Sequence, residues 1–194
     1  MKKLSREDLF SLEEYSDKRS EYRARVIAHK KNRQVALGEH ATLYFEDNLT
    51  LQYQIQEMLR IEKIFDAEGI NEELDAYNPL IPDGSNLKAT FMIEYADPDE
   101  RQRVLETLGG VEDKVWIQIN GFDKVFAIAD EDMERNRDEK TSAVHFMRFE
   151  FTDDMIAKAK TGTSISMGID YDGFNHNIAA IDEVVQTALV QDFA

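Results

Sequence analysis

A basic segment in an otherwise acidic chain constrains how this protein can fold. Between residues 18 and 33 there are seven Lys or Arg residues and one acid, whereas the whole chain of 194 residues has a formal net charge of −16. Residues 1–36 hold ten Lys or Arg residues and six acids. Because concentrated cations need anionic partners, we expect the segment to contact an anionic ligand, another protein or the chain's own carboxylates.

The composition favours one ordinary globular domain. The chain is 42% hydrophobic, it has only three prolines and nine glycines, and it contains no stretch rich in Gly, Ser or Pro that would serve as a linker. We therefore predict a single domain over residues 1–194, with a mainly helical part at 1–78 and a sheet-rich part at 85–194.

Several function classes are excluded or disfavoured by residue content. Without cysteine, the chain cannot form disulfides, ligate an iron–sulfur cluster through thiolates or use a thiol nucleophile. It has neither an apolar run of about 18 residues nor a signal-peptide pattern, which predicts a cytoplasmic protein outside the membrane. The negative charge predicts that nucleic acid is not a partner.

Helices are predicted mainly in the N-terminal part. Ser5 is suited to cap a short helix that ends near Tyr15, a second helix is expected from Lys18 to Gln34, and a third from Asn48 or Thr50 to Phe65. Further helices are predicted at 71–77, from Pro98 to about Gly109, after the cap residue Thr152, and at 182–192.

Strands are predicted between and after these helices, at 41–45, 87–93, 115–119, 122–128, 144–151 and 164–171. Asn120-Gly121 predicts a hairpin because both residues accept a positive φ. The strand at 144–151 is apolar on both faces, which indicates an interior position. The expected fold class is α+β, with a helical N-terminal third packed on a mainly antiparallel sheet of about six strands.

A carboxylate at the centre of an apolar helix face is the first candidate functional group. At 100° per residue, Glu62 falls within the apolar arc of the third helix, among Leu59, Ile61 and Phe65. A buried charge is costly unless it is paired, protonated or bound to a ligand. We therefore expect Glu62 to have a partner.

Two alternatives follow for the basic segment. In the first, an arginine of the second helix forms a structural salt bridge with Glu62. In the second, cations left unpaired form a pocket for a small anion between the second and third helices, with Glu62 as an orienting or acid–base group. The candidate ligand-binding or charge-network residues are Arg19, Arg23, Arg25, Lys30, Arg33, Glu57, Arg60 and Glu62.

No metal site or cofactor is predicted. The four histidines show none of the spacings used by helical metal sites, and His145 alternates with apolar residues as a hydrogen-bonded core histidine would. The acidic run at 130–134 lacks the glycine and the glutamate of a calcium loop. Motifs for phosphate loops, dinucleotide-binding folds and nucleophile elbows are also absent.

Several segments resemble one bacterial family. The stretches LSREDLFSLEEY, KKNRQVALG, TLYFED and QIQEMLRIE, with AVHFMRFEF further on, are similar to the family catalogued as domain of unknown function 3501. The resemblance covers nearly the whole chain and supplies no established activity or catalytic residues. It does imply a context, because members are commonly encoded beside rubrerythrin-like proteins and iron–sulfur oxidoreductases.

Two functional hypotheses follow from these observations. The first is a non-catalytic accessory protein that binds a rubrerythrin-like protein or an iron–sulfur oxidoreductase through its acidic surface. The second is a small-anion-binding protein or enzyme that uses the arginine and glutamate pocket between the second and third helices.

Overall fold

The computed structural model describes residues 2–131 and 141–194 of the chain. The α-helices of this part are α1 (Leu12–Lys30), α2 (Asn48–Glu62), α3 (Ala67–Tyr77), α4 (Pro98–Leu105), α5 (Asp153–Lys160) and α6 (Glu183–Val190). Short 3₁₀ turns lie at Arg6–Asp8, Asn78–Leu80 and Val111–Lys114. Each α-helix is preceded by a Ser, Thr or Asp whose side chain accepts a backbone hydrogen bond from the first turn.

The strands form two antiparallel sheets. They are β1 (Gln34–Ala36), β2 (Ala41–Phe45), β3 (Asn86–Ile93), β4 (Val115–Ile119), β5 (Val125–Phe126), β6 (Ile128–Ala129), β7 (Val144–Glu150), β8 (Ile165–Ile169) and β9 (His176–Ile178). The five-stranded sheet has the order β1-β2-β3-β7-β6, and the four-stranded sheet has the order β5-β4-β8-β9. The predicted α+β class is confirmed, although the strands are divided between two sheets.

The two sheets share one hydrophobic core. Leu87, Phe91 and Phe149 of the five-stranded sheet belong to the same buried cluster as Ile117 and Met167 of the four-stranded sheet. Alternate residues of each strand point to opposite faces, so this inner face contains every second residue of β3 and β7. Side chains of α4, α5 and α6 complete the cluster.

The strand predictions hold where local patterns were strong. The hairpin prediction at Asn120-Gly121 is confirmed, because β4 pairs with β5 around this turn and Gly121 has a φ of 94°. The predicted interior strand is β7, which pairs with β3 on one side and β6 on the other. The charged sequence at 130–140 predicts a loop, and residues 132–140 of it lie outside the described residues.

The helix boundaries near the N-terminus differ from the prediction. A single helix, α1, replaces the two helices that were expected to separate near Ser16, and it begins after the capping residue Ser11. Tyr15, Tyr22 and Val26 form a continuous buried stripe along it. Burial of this stripe outweighs the small helix preference lost at the interior residues Ser16 and Asp17.

Candidate functional site

Glu57 is the carboxylate that binds the basic segment. Its Oε1 accepts hydrogen bonds from Tyr15 Oη at 2.6 Å and Arg19 Nε at 2.8 Å, and its Oε2 accepts from Arg19 at 2.9 Å and Arg60 at 3.1 Å. The hydrogen bonds from Arg19 lower the pKa of Glu57 to about 2, against the opposing effect of burial. This network joins α1 to α2.

The prediction that Glu62 is buried is wrong. Glu62 is exposed, as are its apolar neighbours Ile61 (59% exposed) and Phe65 (72% exposed). Because α2 ends at Glu62 and Lys63 takes a left-handed conformation, the helical periodicity does not continue to Phe65. Two polar residues of α2, Thr50 and Gln56, are buried instead, and Gln56 Oε1 accepts a hydrogen bond from the backbone nitrogen of Phe10 at 2.6 Å.

Arg33 is a buried residue whose side chain links several parts of the fold. Its side chain is buried, bonded to the carboxylate of Asp192, and 3.4 Å from Asp47 Oδ2. It also donates to the backbone carbonyls of Phe45, Glu46 and Ala188. A guanidinium whose donors are used in this way has little capacity left for a ligand, so Arg33 connects the end of α1 to β2 and α6.

The other predicted cations lie at the surface or at cleft edges. Arg23 is exposed and has no ion pair within residues 2–131 and 141–194. Arg25 is also exposed and, together with His29, borders a cleft of about 810 Å³ between α1 and α6. Lys30 is half-buried at a different cleft. Of the predicted set, the structure joins Arg19, Glu57 and Arg60 in one network, and it places Arg25 and Arg33 at the same cleft.

A buried polar cluster surrounds His145, as expected for a hydrogen-bonded core histidine. His145 Nδ1 lies 2.7 Å from Asp130 Oδ2, and its Nε2 lies 3.0 Å from both Thr141 Oγ1 and the carbonyl oxygen of Ser142. Glu112, Asp130 and His145 place one potential ligand atom each within 4.8 Å of one another. Both ring nitrogens of His145 already have partners among these residues. A metal ion that bound either nitrogen would therefore have to replace one of these contacts.

A further cleft lies between the helical part and the outer face of the five-stranded sheet. It measures about 690 Å³ and is bordered by α2, α3, β3 and β7, with Met58, Tyr77, Leu80 and Phe146 among its apolar lining residues. An adjoining cleft of about 410 Å³ shares Tyr77, Leu80 and Phe146 with it. Volumes of about 300–1,000 Å³ are typical of small-molecule sites.

Two cations face each other in the floor of this larger cleft. Lys88 of β3 and Arg148 of β7 are directly opposite in the strand register, and both line the cleft. Arg148 makes two hydrogen bonds of 2.8 Å to Glu131 and one of 2.5 Å to Glu150. Lys88, by contrast, has no hydrogen bond or ion pair from its amine within the described part of the chain, and burial lowers its pKa.

Sequence reasoning missed Lys88 although a signal was present. The apolar and polar residues of 87–93 alternate, which places Lys88, Thr90 and Met92 on the face opposite Leu87 and Phe91. The apolar residues Val144 and Phe146 on the same outer face of β7 indicated that something covers that face. What the sequence lacked was the pairing of β3 with β7, which brings Lys88 beside Arg148.

The fold and these sites define an α+β protein in which a helical layer covers one face of a two-sheet core. This chain belongs to the family described as Protein of unknown function (DUF3501), whose family model matches residues 3–193. The resemblance found in the sequence is thereby confirmed.

A solved structure supports the same conclusion. The chain is similar to a novel protein of unknown function from Burkholderia pseudomallei, known from a crystal structure at 1.90 Å, with 51% sequence identity and a TM-score of 0.95. The match covers 100% of both chains. No curated protein matches the chain. Among the described residues, no helix is long and apolar enough to cross a membrane.

Proposed function

We propose that this protein is a non-catalytic accessory protein that binds a protein partner through the region where α2 ends and α3 follows. The observation that carries this proposal is the exposure of Ile61 and Phe65. Two large apolar side chains that remain exposed within four residues of each other can contribute to an apolar docking patch. Residues 62–75 around them contain six acids and one lysine.

The charge of this surface selects the kind of partner. An apolar centre bordered by acids is complementary to an apolar patch bordered by Lys or Arg, and the long-range field accelerates the association of such a pair. The family context adds the identity we propose for the partner, namely a rubrerythrin-like protein or an iron–sulfur oxidoreductase encoded nearby. Because the chain has no cysteine, any iron–sulfur cluster in the complex would be bound by the partner.

Binding to these two purified candidate partners tests the proposal. We expect the wild-type protein to bind one of them at 50 mM salt and at least tenfold more weakly at 500 mM, because salt screens the acidic surface. Phe65→Ser should weaken binding about tenfold, whereas Val184→Ser, which changes an exposed apolar residue of α6, should leave it unchanged. Absence of binding to both candidates, or equal effects of the two substitutions, would contradict the proposal.

The alternative of an anion pocket between α1 and α2 stays a prediction with less support. Within the described chain, Arg19 and Arg60 are both paired with Glu57, and Glu62 is exposed. The contacts of this interface are those of a structural charge network. Lys88, a cation without an ion pair among the described residues, lies at a different cleft, on the outer face of the sheet.

A further inference from the structure

Lys88 lines the outer cleft, and its amine has no hydrogen-bond or ion-pair partner among the described residues. Its side chain is half-buried on the outer face of β3, directly opposite Arg148. Like charges placed opposite each other on neighbouring strands are destabilising unless they are neutralised. Arg148 is neutralised by Glu131 and Glu150, but no carboxylate of the described residues forms an ion pair with Lys88.

The surroundings of Lys88 are those of a small-molecule site. The amine of Lys88, with its three hydrogen-bond donors, lies in the floor of the cleft. This floor continues through Phe146 into the adjoining cleft, which Thr90 and Met92 also line. Tyr77 and Leu80 form part of the wall on the helical side of both clefts. The lining combines apolar side chains with charged ones, and in a ligand pocket the polar groups fix the orientation of a ligand whose remainder lies on the apolar surface.

The acids near the cleft disfavour a ligand with more than one negative charge. Glu73 and Asp83 also line it, and neither forms an ion pair within the described part of the chain. Burial raises the pKa of Glu73, with the carboxylates of Glu62 and Glu72 adding to the effect. These acids would repel a phosphate dianion more strongly than a carboxylate.

We propose that this cleft binds a small monocarboxylic acid with an apolar tail. The carboxylate accepts hydrogen bonds from Lys88 Nζ, and the tail lies over Phe146 between the sheet and the wall formed by Tyr77 and Leu80. The apolar residues proposed for partner binding, Ile61 and Phe65, do not line either cleft, although Glu73 belongs both to the acidic border of that surface and to the lining of the larger cleft. Failure of one proposal therefore does not decide the other.

Isothermal titration calorimetry with two probes, octanoate and 3-phenylpropionate, tests the site. We expect at least one of them to bind the wild-type protein saturably with one site per chain. Lys88→Gln should weaken that binding at least tenfold, because a hydrogen bond to a charged group contributes about 1.5–3 kcal/mol. Lys158→Gln, a change at an exposed lysine of α5, should leave it unchanged.

Ligand controls separate charge recognition from apolar adsorption. If octanoate is the probe that binds, octylamine and octyl phosphate should each bind at least tenfold more weakly than octanoate. Circular dichroism should show that the Lys88→Gln and Lys158→Gln variants are both folded. The proposal is overturned if neither carboxylate binds, if Lys88→Gln binds as tightly as the wild type, or if octylamine binds as tightly as octanoate.

Discussion

The two faces of the five-stranded sheet are covered in different ways. The inner face packs against the second sheet, and its central residues Leu87, Phe91 and Phe149 are fully buried. The outer face lies under the helical part, where Lys88 and Phe146 remain half-buried and line clefts. The same strands therefore stabilise the core with one set of alternate residues and present a site with the other.

The covering layers also differ in how they are held in place. The second sheet is joined to the first through a continuous apolar cluster. The helical part contains two smaller buried clusters of its own and adds polar connections such as Arg33 with Asp192 and Glu57 with Arg19. A continuous apolar interface is close-packed and leaves no clefts. The helical part is held partly by polar bonds at separate points, and clefts remain between these points.

The largest expected effect comes from truncating the inner face. Phe91→Ala should lower the free energy of unfolding by about 3–5 kcal/mol, because it removes a fully buried ring and leaves a cavity. Phe146→Ala, a change of the same size on the outer face, should cost only about 1–2 kcal/mol, because that ring is half-buried. Urea unfolding of both variants measures the difference, and equal losses would remove the contrast between the faces.

A substitution at Arg33 tests the polar connection to the helical part. Arg33→Met should lower the free energy of unfolding by about 3 kcal/mol, because it leaves the buried carboxylate of Asp192 without its cation. Burial raises the pKa of Asp192 to about 6 even in the presence of Arg33. Without this cation we expect the pKa to rise further, which NMR titration of the carboxyl carbon would detect; an unchanged pKa would argue against the pairing.

A smaller and pH-dependent effect is expected at Glu57. Because its pKa is lowered from 4.5 to about 2 in the folded protein, the pair with Arg19 stabilises the fold fully above about pH 5, and this contribution is lost as the pH falls from 4.5 towards 2. Glu57→Gln should cost about 1–2 kcal/mol at pH 7 and very little at pH 2. Unfolding curves at both pH values, with Glu62→Gln as the matched exposed control, measure this; equal costs at the two pH values would contradict the pairing.

The smallest expected effect has the opposite sign. Lys88→Met should raise the free energy of unfolding by about 0.5 kcal/mol, because it removes a half-buried cation that faces Arg148. If the substitution raises the stability and weakens octanoate binding, Lys88 serves ligand binding at a cost in stability. Thermal unfolding with and without octanoate measures both quantities, and a destabilised variant would indicate a structural role for the amine.

Sequence patterns predicted those features that depend on neighbouring residues. The hairpin at Asn120-Gly121, the capped helices after Asp97 and Thr152 and the interior strand β7 all follow from local spacing. Periodicity failed at Glu62 because it assumes that the helix continues, whereas α2 ends there.

The candidate sites depend on contacts between residues distant in sequence. Arg33 and Asp192 are separated by 159 residues, and Lys88 meets Arg148 only because β3 pairs with β7. A charge count over the basic segment indicated that its cations need partners, and Arg19 and Arg33 do pair within the chain. It could not select Glu57 over Glu62, because that choice is made by where α2 ends and which residues α1 covers.

Methionine methyl groups give the most direct test of the contrast between the two faces of the sheet. Met58 and Met92 line the outer clefts, whereas Met167 is fully buried between the sheets. With ¹³C-methyl-labelled methionine, we expect titration with octanoate to shift the signals of Met58 and Met92 saturably and to leave that of Met167 unchanged. Unchanged signals at Met58 and Met92, or an equal shift at Met167, would contradict the assignment of the outer face as the binding face.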